Sequence, residues 1–131
     1  ALEFPHGYTY SGHPVACAAG LAALELLIAE KLPTRVAAQA PYFEALLHDA
    51  LRDKPHVTDV RNYGFAGAIT LDALPGEPLK RPFETAMSMW EKGFLVRYGG
   101  DTIQLAPAFT MERDHMALLV SALAETLVEF G

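Results

Sequence analysis

From Pro14 to about Lys31 the chain is almost wholly apolar, and Glu25 is the single charge before Glu30. This pattern predicts a helix without a wide polar face, and so a largely buried one. Its small residues Ala16, Cys17, Ala19, Gly20 and Ala23 would let another backbone approach closely. Pro14 suits a first helical position, and Pro33 is expected to end the helix. The next pattern runs from about Thr34 to Asp53. Val36, Ala40, Phe43, Leu46, Leu47, Ala50 and Leu51 recur at three- to four-residue spacing, the period of an amphipathic helix. Pro41 lies inside it and is expected to kink or reset it.

The period then changes. Val57, Asp59 and Arg61 lead into Gly64 and Gly67, and Ala68-Ile69-Thr70-Leu71 follows. Two short strands meeting at a glycine-rich bend fit this pattern. Gly67 within the second strand marks a close backbone approach or a bulge. A proline-rich loop follows, then a third helix from about Pro82 to Lys92 with Phe83, Ala86, Met87 and Trp90 on one face. Gly93 is its natural C-terminal glycine. Phe94 to Arg97 and Thr102 to Ala106 read as strands joined by the turn Tyr98-Gly99-Gly100-Asp101. Thr110 is expected to cap a last helix, with Glu112 and Asp114 in its first turn and Met116, Val120, Leu123 and Leu127 as its buried stripe.

The order is helix, helix, two strands, helix, two strands, helix. Adjacent strands without alternating helices predict an α+β architecture, a small antiparallel sheet covered by helices. The loop over residues 1–13 and the first helix look like the end of something else.

Composition narrows the function classes. The chain has 131 residues, of which 51% are hydrophobic and 20% charged. That is a core-forming composition for one domain of ordinary size. A net charge of −6 without a Lys/Arg cluster argues against nucleic acid and against an anionic membrane. Residues 14–29 carry Glu25 and are too short to span a bilayer comfortably, and no secretory leader is visible. A lone cysteine, Cys17, makes no internal disulfide and fits a reducing, cytoplasmic compartment; it reads as a small buried hydrophobe.

Paired-cysteine, HExxH, GxSxG and Walker-type patterns are absent from the sequence. His6 and His13 form at most a weak metal pair. Two segments remain. HGYTYSGHP supplies backbone N–H groups, hydroxyls and a following helix N-terminus, a combination suited to phosphate, although many helix starts look like this and ordinary helix capping is the simpler explanation. LVRYGGDTIQLAP sets Arg97 at a strand end before two glycines. Arg97 is either a surface arginine in a hairpin or a guanidinium that grips a carboxylate. Gln104 falls in the neighbouring strand, and spacing alone does not decide between the two.

The stretches EFPHGYTYSGHPVACAAGLAALELL, VRNYGFAGAITL and GFLVRYGGDTIQLAPAFTMERDH together resemble the class III (omega) aminotransferases, pyridoxal-phosphate enzymes of fold type I. The likeness covers essentially the whole chain, and VR-(Y/F)-GGDT-x-Q looks closest to the beta-alanine:pyruvate branch. It implies the C-terminal third of such an enzyme. Residues 1–31 would be the end of the large domain, a cofactor-phosphate loop and connecting helix, and residues 32–131 the C-terminal small domain. Thr9 would reach the cofactor phosphate of the other subunit of a homodimer or higher homo-oligomer, with Tyr10 and Ser11, and also Tyr8 and Gly12, nearby. Arg97 would bind the substrate carboxylate and Gln104 would face the substrate. Small-molecule amines and keto acids would be the substrates.

Two departures stand out. The family's Schiff-base lysine lies upstream of the HG-x-TY segment, and Lys31, Lys54, Lys80 and Lys92 all follow it, so none matches and the chain alone is expected to be inactive. Ala106-Pro107-Ala108 replaces the family's common Pro-Pro. An aminomutase or decarboxylase of the same class, or a non-enzymatic association domain, remains open at this point.

Overall fold

The computed structural model describes residues 6–130; the first five residues of the expected N-terminal loop lie outside them. The chain divides into two units, Ala1–Pro33 and Thr34–Gly131. The elements are α1 (Pro14–Ala29), α2 (Leu32–Leu51), β1 (Val57–Tyr63), β2 (Ala66–Leu71), α3 (Lys80–Glu91), β3 (Arg97–Gly99), β4 (Thr102–Leu105) and α4 (Arg113–Glu129).

In the first unit a loop leads into α1. The helix was expected to be largely buried, but it has no buried residue; Val15, Leu21, Leu24, Leu26 and Ile28 are exposed. Cys17, expected inside, is exposed as well. A loop and one helix contain no second layer against which an apolar helix could be covered. Pro33 does not end α1 either. The helix stops at Ala29, Lys31 takes a left-handed backbone with φ 51°, and Pro33 falls in the first turn of α2. There its missing N–H costs nothing, because first-turn donors have no helical partner.

In the second unit the four strands form one antiparallel sheet in the order β1-β2-β4-β3. Side chains alternate across a strand, and this alternation divides the sheet into two faces. Val60, Gly67, Ile69, Leu71, Ile103 and Leu105 look toward the helices. Phe43, Leu47 and Leu51 of α2, Ala86 and Met89 of α3, and Met116, Val120, Leu123 and Leu127 of α4 complete one core with them. The predicted stripe of α4 is thus buried in full. Gly67 marks a close approach: a Cβ there would lie 3.0 Å from Leu47 Cδ1. A bulge does occur, but in β1 between Val57 and Asp59.

The helix boundaries shift in explicable ways. α2 runs unbroken through Pro41, with Phe43, Leu47 and Leu51 buried after it. α3 is rotated from the predicted face. Pro82, Thr85, Ala86 and Met89 are buried, while Phe83, Met87 and Trp90 are exposed. Thr85 can turn inward because its hydroxyl donates to the Arg81 carbonyl 2.8 Å away, so the threonine's own polar group is satisfied. At the other end Gly93 has φ 87°, and the Phe94 and Gly93 N–H groups donate to the Met89 and Trp90 carbonyls at 2.8 and 3.0 Å. This is the Schellman arrangement, in which glycine bears the left-handed position. Thr110 does not cap α4. Glu112 occupies the cap position, and Arg35 pins the preceding loop by donating to the Phe109, Thr110 and Met111 carbonyls and to Glu112 Oε1.

Candidate substrate site

The sheet face turned away from the core is polar. The register places Asp59, Thr70 and Thr102 in one row, Arg61, Ala68 and Gln104 in the next, with Arg97 opposite Gln104 and Gly99 opposite Thr102. Register partners hold their Cβ atoms about 5 Å apart on one face, so the expected pairing of Arg97 with Gln104 is brought about by the hairpin itself. Gly100, with φ 61°, makes the turn. The strand carrying Arg97 begins later than expected, at Arg97 itself, so the arginine sits at the open end of an edge strand.

Which arginine on this face can take an external carboxylate follows from their partners. Arg61 is committed: it pairs with Asp59 and donates from Nη1 to Thr70 Oγ1 at 2.8 Å. Thr70 Oγ1 is 3.3 Å from Thr102 Oγ1, which donates to Asp101 Oδ1 at 2.8 Å. A ladder of hydroxyls and charges therefore crosses the sheet beside Gln104. Sequence reasoning did not assemble it, because its members are spread over three strands; only the alternation at 59/61, 68/70 and 102/104 hinted at a shared face. Elsewhere Arg35 holds Glu112, Arg52 contacts His48, Arg81 lies against Asp72 and His56, and Arg113 stacks over the Tyr42 ring. Arg97 is exposed and has no side-chain partner among the described residues. A guanidinium in that state keeps all five donors for a ligand, in the fork geometry that matches a carboxylate.

Phe83 and Tyr98 meet edge to face, with ring centroids 5.8 Å apart, and anchor the strand from the other side. Near them Lys80 donates to Glu77 Oε2 at 3.0 Å. That hydrogen bond, then the charges of Glu77 and Glu84, raises the lysine pKa above its ordinary value.

The second candidate segment lies in the first unit. Tyr8 to Ser11 form a tight turn: the Ser11 N–H donates to the Tyr8 carbonyl at 2.9 Å, and the Tyr8 N–H to Ser11 Oγ at 2.7 Å. Thr9 and Tyr10 are at the tip, exposed. Gly12 has φ 74° and turns the chain into α1. His13 is the N-cap, its Nδ1 accepting from the Ala16 N–H at 3.4 Å, so this histidine acts as a cap. From His6 to Leu24 there is neither a carboxylate nor a Lys or Arg. Hydroxyls and backbone N–H groups beside a positive helix end, with no competing acid, form a donor set that fits a phosphate. Thr9, Tyr10 and Ser11 are thus adjacent to one another in the first unit, and Arg97 and Gln104 in the second.

A four-stranded antiparallel sheet with helices is joined by a hydroxyl-bearing loop at a helix start and by a hairpin arginine without a partner among the described residues. The sequence profile of the class-III aminotransferases matches residues 2–127, and the chain belongs to that family. It is 51% identical over 127 residues to an omega-amino acid–pyruvate aminotransferase of Pseudomonas putida, covering 97% of this chain and 28% of that one. A beta-alanine–pyruvate aminotransferase of Pseudomonas aeruginosa is 50% identical, with the same shares. Among solved structures, an amine transaminase from an uncultivated Pseudomonas species in its PLP-bound form superposes with TM-score 0.82 at 36% identity, covering 98% of this chain and 30% of that chain. An (S)-enantioselective omega-transaminase from Thermomicrobium roseum gives 0.83 at 32%, with the same coverage. The chain thus spans a little over a quarter of the length of the relatives it matches. Among the described residues, no helix is long and apolar enough to cross a membrane.

Proposed function

We propose that this chain supplies the phosphate-contacting loop and the carboxylate-binding hairpin of a pyridoxal-phosphate-dependent omega-aminotransferase. The complete enzyme, a homodimer or higher homo-oligomer, moves an amino group from an amine or beta-alanine to a pyruvate-like keto acid. Residues 1–31 belong to its large domain and residues 32–131 to its small one. The supporting observation is Arg97, exposed, unpaired among the described residues and in register with Gln104.

Pyridoxal phosphate, when bound, supplies the electron sink for the chemistry. The residues of this chain bind and orient. Thr9, Tyr10 and Ser11 hold the phosphate with hydroxyls and N–H groups. Arg97 fixes the substrate carboxylate by charged hydrogen bonds, which sets the distance from that carboxylate to the reacting carbon. Gln104 adds a neutral amide that donates to one oxygen or accepts from a donor.

The test is Arg97→Ala in the complete enzyme. Loss of a charge-assisted contact worth roughly 1.5–3 kcal/mol lowers kcat/KM for keto and amino acids about 10- to 150-fold. Simple amines lacking a carboxylate lose far less in the half-reaction. Equal loss for both substrate types would refute the role.

A further inference from the structure

Gly99 has no backbone reason to be glycine. Its neighbour Gly100 does, with φ 61°, but Gly99 stands in β3 outside the left-handed region. What a side chain would meet there is specific. A Cβ on Gly99 would lie 3.0 Å from Gln104 Nε2 and 3.9 Å from Gln104 Cδ, and among the described residues nothing else besides its two chain neighbours comes within 4 Å. The Gln104 side chain rises opposite Arg97 and lays its amide over Gly99, the next residue of β3 on the same face.

We propose that Gly99 is a positioning residue: its bare backbone leaves the space in which the Gln104 amide rests beside Arg97. The inference rests on the reading that Arg97 and Gln104 face the substrate. An alanine at 99 meets only the far end of a flexible side chain, so the fold tolerates it at little cost. The glutamine answers by turning its amide away. The amide then no longer holds its donor at the place it takes over Gly99, and the substrate carboxylate loses one neutral hydrogen bond. The second glycine of GGDT therefore serves the turn, and the first serves the substrate.

The experiment compares Gly99→Ala, Gln104→Ala and the double variant in the complete enzyme, with a crystal structure of Gly99→Ala. The expected result is a rise of about fivefold in KM for the keto acid, the size of one neutral hydrogen bond, with Tm unchanged. The crystal structure shows the Gln104 amide displaced from residue 99. In the Gln104→Ala background Gly99→Ala adds nothing, because the group it moves is gone. An amide that has not moved in Gly99→Ala, or an equal cost of Gly99→Ala with and without Gln104, overturns the inference. Failure of the underlying reading is seen elsewhere, in an Arg97→Ala enzyme that does not lose carboxylate substrates selectively.

Discussion

At the scale of single residues, the six arginines carry the argument. Five are held by carboxylates, carbonyls, a histidine or a ring, and the sixth, Arg97, has no such partner among the described residues. The sequence singled out Arg97 and Gln104, because a guanidinium before two glycines and a glutamine in the returning strand are both readable in one line of text. It did not distinguish the two glycines, since their difference depends on backbone angles and on where one amide comes to rest. Gly67 is a simpler case. A methyl group there presses on Leu47, which is fully buried, and overpacking of this kind costs about 1–3 kcal/mol. Gly67→Ala is expected to lower the midpoint of urea unfolding. At the other candidate segment, Thr9→Ala removes one hydroxyl and is expected to weaken pyridoxal phosphate retention about tenfold. Equilibrium dialysis of the complete enzyme followed by cofactor absorbance measures it, and unchanged retention would rule out the proposed phosphate role of Thr9.

At the scale of elements, element types were legible and faces were less so. Hydrophobic spacing fixed α4 and its stripe, because all four of its periodic residues are core residues. The same reasoning misjudged α3, whose large apolar residues lie outward and whose inward face includes a threonine satisfied by its own helix. Spacing reports how often an apolar residue recurs; it does not report which hydroxyls find a partner. α2 gives a testable contrast. Pro41 is exposed inside the helix and removes one backbone bond, a defect of up to about 3 kcal/mol. Pro41→Ala is expected to raise Tm, as read by circular dichroism. Gly93→Ala acts in the opposite sense, since alanine in a left-handed cap costs about 1–2 kcal/mol. A Gly93→Asn variant recovers part of that loss, because asparagine tolerates this conformation better.

At the scale of the whole molecule, every core residue among those described falls between Phe43 and Leu127, with partly buried neighbours from Val36 on. The second unit therefore owns its core. A polypeptide of residues 34–131 is expected to unfold in one cooperative transition, with far- and near-ultraviolet circular dichroism tracing the same curve; a broad or non-coincident transition would show that its core needs more chain. The cover that α1 needs was not visible beforehand. The exposure of α1 could not be read from the sequence, because apolar composition says that a helix needs cover without saying what provides it.

The two faces of the sheet have a bearing on how such an enzyme diversifies. Residues 61, 68, 97 and 104 hold none of the core, while the residues between them hold much of it. On the proposed reading of Arg97 and Gln104, a mutant library confined to those positions changes the surface offered to a substrate while sparing the scaffold, and most of its members are expected to express as folded protein.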